Sequence, residues 1–251
     1  MKVAAIYDIH GNLPALEAVL AVIRRLRVEL VIVGGDVLPG PMPRETLDLL
    51  RELDLPKKFI RGNGDREVLT RMQGMENSDL PESVRAAIHW NAEQLQQEDA
   101  DFIATWPLTF RLEVEGLGAV LFCHATPASD LSILTRATPE EEADRELGDV
   151  AADVVVCGHT HVQYDRRVGR TRLVNAGSVG MPYEGSADAR WALLGADGIE
   201  LLATPYDAVA ALDALSRTGF PLVQQWLAPV LLGQVTADEA TDEFERRRRG
   251  A

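Results

Sequence analysis

Four of the five histidines in this 251-residue chain lie at or just past the ends of predicted strands. Two aspartates and an asparagine occupy matching positions after other predicted strands. Together these residues are Asp8, His10, Asp36, Asn63, His124, His159 and His161. Imidazole nitrogens combined with carboxylate and amide oxygens suit divalent ions such as Mn, Fe, Co or Zn. Because seven such groups would be poorly paired without a cation, the pattern predicts a metal centre.

The elements that must position these residues are short strands that end in polar, glycine-containing turns. Strands are predicted at residues 2–7, 30–33 and 58–61, each followed by a helical pattern. Asn12 is the expected cap of the first helix. Successive strand–helix–strand units predict parallel neighbours, and in such sheets ligands bind at the carboxyl ends of the strands.

The second half of the chain is richer in strands and then becomes helical. Hairpins are predicted around Glu115-Gly116 and Asp197-Gly198, and helical patterns run from Pro205 onward. The fold class is therefore α/β, a four-layer α/β/β/α sandwich of two packed mixed sheets. We expect one domain over residues 1–204 and a helical extension, 205–251, packed on it. The extension is expected to pack against the core or a second copy, and roofing the metal cleft is the alternative.

Composition narrows the classes of partner. The net charge of −14 disfavours long nucleic acids, which bind through clustered Lys and Arg. The basic run Arg246 to Arg249 is expected to be a solvated tail. No apolar run reaches membrane-spanning length and no signal peptide is evident, so we expect a cytoplasmic protein. Cys123 and Cys157 are expected to be buried thiols without a disulfide.

The motifs and their order resemble the calcineurin-like metallophosphoesterase superfamily over residues 1 to about 200. They are Asp8-Ile9-His10, Gly35-Asp36, Gly62-Asn63, His124 and Gly158-His159-Thr160-His161. The stretch from Asn175 to Gly180 is also similar to the Asn-Pro-Gly-Ser segment of the small bacterial and archaeal phosphodiesterase branch. Here Ala176 replaces the proline.

The resemblance implies two divalent ions. A first ligand set would be Asp8, His10 and His161, and a second ligand set would be Asn63, His124 and His159. Asp36 would bridge the two ions. A hydroxide shared by the ions would be the nucleophile. The resemblance implies Asp36, Asn63 and His124 as the catalytic residues. Manganese is the expected metal, with Fe, Zn, Co or Ni as alternatives.

One position departs from the family pattern. Most members have a histidine after the metal-binding asparagine, whereas this chain has Gly64. That histidine assists the leaving group, and a general acid typically contributes about 10²–10⁴-fold. We therefore expect a preference for activated substrates. His89 is the candidate replacement, and Asn63, Arg66 and Asn12 are candidate substrate contacts. Tyr183 is a candidate stacking residue, and His89, Arg66, Asn12 and Tyr183 each also have an ordinary structural interpretation.

The expected function is hydrolysis of small nucleotide-type or aryl phosphodiesters. A phosphomonoesterase or protein phosphatase is an alternative within the same chemistry. A non-catalytic scaffold of this fold is an alternative from a different class, and the complete set of seven ligand positions disfavours it. The expected partner is a small phosphate ester, and both a monomer and a homodimer remain open.

Overall fold

The structure is a computed structural model that describes residues 1–250. The strands are β1 Val3–Ile6, β2 Leu30–Val33, β3 Lys57–Phe59, β4 Thr109–Val114, β5 Gly118–Cys123, β6 Val154–Cys157, β7 Tyr164–Val168, β8 Thr171–Asn175, β9 Ala189–Gly195 and β10 Gly198–Thr204. The helices are α1 Leu13–Leu26, α2 Pro43–Glu52, α3 Asn63–Met72, α4 Glu82–Gln94, α5 Gln97–Ala104, α6 Glu140–Leu147, α7 Ala208–Ser216, α8 Ala228–Leu231 and α9 Ala237–Arg248. A single turn of π-helix, Val223–Leu227, leads into α8.

The strands form two five-stranded mixed sheets. The order is β10-β9-β1-β2-β3 in the first sheet and β4-β5-β6-β8-β7 in the second. Strands β1, β2 and β3 are parallel, as the sequence predicts, and β5, β6 and β8 are parallel in the second sheet. The carboxyl ends of these parallel strands carry the candidate ligands.

Alternation along the strands explains the layers. In β1, Val3 and Ala5 pack between the sheets, whereas Ala4 and Ile6 pack in the layer that contains α1 and α2. On the outer face of the second sheet, Ala143 and Leu147 of α6 pack against its buried side chains. Helices therefore cover both outer faces, which confirms the predicted four-layer α/β/β/α sandwich.

Local signals in the sequence explain where α1 begins. The Asn12 side-chain oxygen accepts a hydrogen bond from the Ala15 backbone N–H at 3.2 Å, and Pro14 lies in the first turn. These are the cap and the first-turn residue that the sequence predicts. Strand β3, predicted at 58–61, is shorter, ending at Phe59.

The C-terminal helices pack on the rest of the molecule. Leu215, Phe220 and Leu227 share an apolar cluster with Ala87 of α4 and with Met181. The expectation of a solvated basic tail is wrong for its third arginine. Arg248 ends α9, forms ion pairs with Glu142 and Glu245, and its side chain is only 16% exposed.

Two further expectations from composition can be compared with the structure. Both cysteines are free and buried, as expected. Burial raises the pKa of Cys157 to about 12, so this thiol is protonated at neutral pH. Within residues 1–250, every helix is too short or too polar to cross a bilayer.

Candidate metal centre

The structure brings all seven candidate ligands to one edge of the molecule. Asp8 follows β1, Asp36 follows β2, Asn63 begins α3 just after β3, His124 follows β5, and His159 and His161 follow β6. The carboxyl ends of β1 and β2 from one sheet and of β5 and β6 from the other thus meet at this edge. The convergence is a consequence of parallel strand order in both sheets.

The first ligand set is tightly gathered. Ligand atoms of Asp8, His10 and His161 all lie within 4.8 Å of one another. His161 Nε2 is 3.4 Å from Asp8 Oδ1 and 3.2 Å from His10 Nε2. One oxygen and two nitrogens therefore face a common point.

Asp36 lies between the two sets. Its Oδ1 is 3.6 Å from His124 Nε2, while its Oδ2 is 3.8 Å from His10 Nε2. Each carboxylate oxygen thus faces a histidine of a different set, which is the arrangement expected of a bridging ligand. Asp8 also lies near both sets, because it groups with Asp36 and His124 within 4.8 Å as well.

Asn63 and His159 complete the second set. The Asn63 side-chain oxygen lies 3.2 Å from His124 Nε2 and 3.0 Å from His159 Nδ1. Rotating the Asn63 amide would turn its nitrogen toward these atoms and pair them by hydrogen bonds. A cation between the Asn63 oxygen and the two histidine nitrogens would bind all three atoms without rotation of the amide. We prefer this unrotated orientation of Asn63 because the other four candidate ligands form a similar cluster alongside.

The tautomers of three histidines are set by backbone carbonyls. His10 Nδ1 donates to the Pro39 carbonyl at 3.1 Å, His124 Nδ1 to Gly34 at 3.1 Å, and His161 Nδ1 to Met181 at 2.8 Å. Since Nδ1 carries the proton in each ring, Nε2 presents a lone pair to the centre. Metal-ligating histidines are typically oriented in this way.

Charge and burial also fit a cation. Asp8 Oδ1 is buried and has no hydrogen-bond partner within residues 1–250. Burial opposes ionisation of Asp8, but His161, His124 and His10 outweigh it and lower its pKa to about 2. Burial and the Asp8 charge raise the pKa of Asp36. Burial lowers the pKa of His10 to about 3, so its ring is neutral and able to bind a metal at neutral pH. The donor set therefore fits a divalent metal.

Backbone strain is concentrated at the same place. Among residues 1–250, six residues other than glycine have a positive φ of 47–67°, and five of them are Asp8, His10, Asp36, His159 and His161. This left-handed conformation typically costs on the order of 1 kcal/mol or more per residue and clusters at functional sites. The strain supports a functional role for this edge.

Residues 1–196 match the calcineurin-like phosphoesterase superfamily domain. The chain belongs to this superfamily. It is therefore related to phosphoesterases that work with bound metal ions, and the donor cluster fits that chemistry.

Individual relatives cover nearly the whole chain. An uncharacterised protein of Methanocaldococcus jannaschii is 28% identical over 246 residues, covering 90% of this chain and 95% of the relative. A metallophosphoesterase from Sphaerobacter thermophilus is 26% identical, with a TM-score of 0.70 and coverage of 92% and 99%. A hypothetical protein from Pyrococcus horikoshii shares the fold, with a TM-score of 0.77, 19% identity and coverage of 94% and 98%.

Gly64, the departure from the family pattern, has a steric explanation. A Cβ atom at this position would lie 2.3 Å from the Leu38 carbonyl oxygen and 2.8 Å from Pro39 Cδ. The Gly64 N–H donates to Asp36 Oδ1 at 2.7 Å. Any side chain at position 64 would therefore clash with the 36–40 loop unless the backbone moved.

Asp65 joins the turns that carry Asp36 and Asn63. Its carboxylate accepts hydrogen bonds from the backbone N–H groups of Asp36 at 2.8 Å, Leu38 at 3.0 Å and Gly62 at 3.0 Å. Burial and then the charge of Asp36 raise its pKa to about 8 in the metal-free protein. Asp65 is thus a positioning residue for both turns.

The structure places two of the other candidate residues, Asn12 and His89, away from the cleft. Asn12 is fully buried, and its amide donates to the Gly180 carbonyl and the Tyr206 hydroxyl, so the expectation that it contacts substrate does not fit. His89 Nε2 lies 2.9 Å from a Glu76 carboxylate and lies outside the cleft, which favours its ordinary structural interpretation. Arg66 holds Asp130 through two contacts of 2.8 and 3.2 Å.

The C-terminal helices contribute side chains that sequence reasoning did not assign to the site. A cleft of 810 Å³ contains His10, Asp36, Asn63, His159 and His161 in its wall. The rest of its lining includes Tyr183 and many residues from the C-terminal part: Gln225, Trp226, Pro229, Val230, Val235, Glu239, Ala240, Glu243, Phe244 and Arg247. The extension therefore lines the cleft, the alternative that the sequence left open. Its amphipathic spacing was the available signal, but spacing does not say where a helix docks.

Proposed function

We propose that this protein is a phosphodiesterase that hydrolyses small nucleotide-type or aryl phosphodiesters with two divalent metal ions, Mn being the preferred one. The observation that carries the proposal is the gathering of the Asp8, Asp36, His10, His124 and His161 ligand atoms, in two groups each within 4.8 Å, around a buried Asp8 oxygen that has no hydrogen-bond partner among the described residues. Membership of the phosphoesterase superfamily supports the reaction class.

The residues divide the work of holding the ions. Asp8, His10 and His161 would hold one ion, Asn63, His124 and His159 the other, and Asp36 would bridge them with its two oxygens. Bound divalent ions activate water and stabilise charge on phosphoryl oxygens, which is the chemistry that the reaction needs. The backbone carbonyls behind the three rings keep their donor atoms directed at the centre, so little reorganisation is required during turnover.

Gly64 supports a preference for good leaving groups. A family histidine at this place would assist departure of the alcohol, and the close approach of the Leu38 carbonyl leaves no room for one. His89 lies outside the cleft and does not replace it. An activated alcohol needs little protonation as it departs, so aryl and similar esters should react fastest.

Turnover of bis-p-nitrophenyl phosphate tests the proposal. The protein loaded with Mn²⁺ should hydrolyse it, a chelator should abolish the activity, and Mn²⁺ should restore it. His124→Ala should lose most of the activity, while His89→Ala, which removes a histidine outside the cleft, should retain it. Absence of turnover with Mn, Fe, Zn, Co and Ni would contradict the proposal and favour the scaffold.

A series of aryl diesters with different leaving-group pKa values tests the role of Gly64. We expect the logarithm of the rate to fall steeply as the leaving-group pKa rises, because no side chain at position 64 protonates the departing oxygen. A rate that does not depend on the leaving-group pKa would contradict this part of the proposal.

A further inference from the structure

The cleft has an aromatic and apolar side next to the metal centre. Tyr183, Trp226 and Phe244 line it together with Val84, Pro229, Val230 and Val235. Its volume of 810 Å³ lies within the range of pockets that bind small organic ligands. Metal ligands account for the reacting phosphate, but they leave this side of the cleft without a function.

Two of these aromatic rings lie beside histidines of the candidate metal centre. The Tyr183 ring stacks on that of His161, with centroids 4.7 Å apart and an angle of 28° between the planes. The Phe244 centroid lies 6.4 Å from that of His159 and 6.3 Å from that of Tyr183. A group attached directly to a phosphate at the centre would therefore lie beside these rings.

The charges in the cleft disfavour additional anions. Apart from the candidate metal ligands, the charged residues in the described lining are Glu239, Glu243 and Arg247. Arg247 Nε lies 2.7 Å from a carboxylate oxygen of Glu243, which also pairs with Arg246, so Arg247 is already engaged in an ion-pair network within α9. Two carboxylates and one paired arginine give a second phosphate group little to bind.

We propose that this cleft selects substrates with a single phosphate and a flat aromatic ester group, either an aryl ring or a nucleobase-bearing group, and disfavours polyphosphates. The inference rests on the proposed function and specifies its substrate class. Phe244 and Trp226 are the specificity-determining residues, so the C-terminal helices select the substrate while the sandwich performs the chemistry. Stacking and burial of one aromatic ring correspond to roughly tenfold in affinity.

Direct binding of non-hydrolysed ligands tests the aromatic side. Calorimetry with Mn²⁺-loaded protein should show phenylphosphonate binding about tenfold more tightly than methylphosphonate. Phe244→Ala should reduce this ratio to about twofold by weakening phenylphosphonate alone. Trp226→Ala is the second variant if Phe244→Ala does not fold. Leu232→Ala removes an exposed side chain of the same region outside the cleft, and it should keep the full ratio.

A second pair of ligands tests the charge. Phenylphosphonate should bind several-fold more tightly than 4-carboxyphenylphosphonate, because the added carboxylate faces Glu239 and Glu243. Glu243→Gln should narrow this difference, since it removes one negative charge and releases Arg247. A wild-type protein that binds both ligands equally would overturn the exclusion of extra anions.

The outcomes separate this inference from the proposed function. Equal affinity of the wild-type protein for phenylphosphonate and methylphosphonate overturns the aromatic specificity, even if diesters are hydrolysed. Equal weakening of both ligands in Phe244→Ala and in Trp226→Ala also overturns it, because it shows a merely structural role. Selective binding of phenylphosphonate without turnover of any diester supports the pocket and refutes the proposed phosphodiesterase.

Discussion

The two ligand sets of the candidate metal centre are held by different parts of the molecule. Asp8, His10 and His161 are buried, and short contacts within the core region fix them, such as the Pro39 and Met181 carbonyls behind the two histidines. In the second set, Asn63 and His159 are only half-buried. Their surroundings are built from loops and from the C-terminal helix.

The segment 124–138 is central to the second set. It begins with His124, one of the three ligands of this set. Arg66, on the same helix as Asn63, holds Asp130 of this segment. From the other side, Glu245 of α9 accepts hydrogen bonds from the hydroxyls of Thr135 at 2.7 Å and Thr138 at 2.5 Å.

The two ligand sets differ in what holds their side chains in place before a metal ion binds. Core packing fixes the first set, and it cannot loosen without disrupting β1 and its neighbours. In the second set, His124 is also buried and held by the Gly34 carbonyl, but Asn63 and His159 lie beside segment 124–138, which long-range side-chain contacts hold in place, so distant substitutions can loosen these two ligands separately. We therefore infer that affinity at the second set is the more sensitive to changes in the C-terminal helix.

The largest effect is expected for Asp36→Ala, which removes the carboxylate whose two oxygens face histidines of different sets. Metal analysis of the purified variant should find neither ion bound at stoichiometric level. Activity should fall by more than the roughly 10–100-fold that loss of a supporting contact costs. Asp197→Ala, in an exposed hairpin turn, is the matched control and should bind metal normally. Two full equivalents of metal in Asp36→Ala would disprove the bridging role.

The second-largest effect is expected for Glu245→Ala, which should lower the metal affinity of one ligand set and not of the other. Glu245→Ala removes the acceptor that Thr135, Thr138 and Arg248 share, so segment 124–138 loses its two buried hydrogen bonds to α9 and keeps only the exposed Arg136–Asp238 ion pair with that helix. We expect affinity for one ion to fall about 10–100-fold while the other is retained, giving one equivalent at limiting Mn²⁺.

Asp242→Ala on the same helix is the control for this variant, because Asp242 is exposed. Metal titration followed by calorimetry can resolve the two binding steps. Equal weakening of both ions in Glu245→Ala would show that the two sets are not supported independently.

The identity of the ligands was accessible from the sequence because its signals are local. Apolar strands ending in a polar residue and glycine place Asp8, Asp36 and Asn63 at one sheet edge, and parallel order follows from the intervening helices. The same local signals predict the sandwich, the helix cap at Asn12 and the bounds of β2, while the predicted bounds of β1 and β3 differ from the observed ones by one or two residues.

Tertiary packing determines what the sequence could not show. The left-handed backbone at Asp8, His10 and Asp36 depends on the surrounding structure, because Asp and His tolerate this conformation better than most residues but still adopt it in only a minority of positions. The docking position of α9 depends on contacts more than 100 residues apart, such as Glu245 with Thr135. The missing histidine at Gly64 was visible, but the Leu38 carbonyl beside it was not.

Gly64→His tests the region where the two ligand sets meet. Restoring the family histidine should destabilise the protein by about 1–3 kcal/mol, because a Cβ atom meets the Leu38 carbonyl and Pro39. The Asp36 contact with the Gly64 N–H should weaken, so both ions are affected equally. Thermal unfolding and the rates for aryl diesters measure these effects. A stable variant with faster turnover of poor leaving groups would show that the site tolerates the histidine after all.

The smallest effect is expected for Arg66→Ala. This half-exposed arginine holds Asp130 in a two-point contact, and partly exposed ion pairs contribute up to about 1 kcal/mol, or roughly fivefold. If Arg66 only positions segment 124–138, affinity for the ion of the second set should fall by that amount while KM for a diester is unchanged at saturating Mn²⁺. Arg66→Lys should fall nearly as far, because lysine cannot make the two-point contact. A rise in KM with unchanged metal affinity would instead identify Arg66 as the substrate contact that its sequence position suggests, and the second set would then depend on α9 alone.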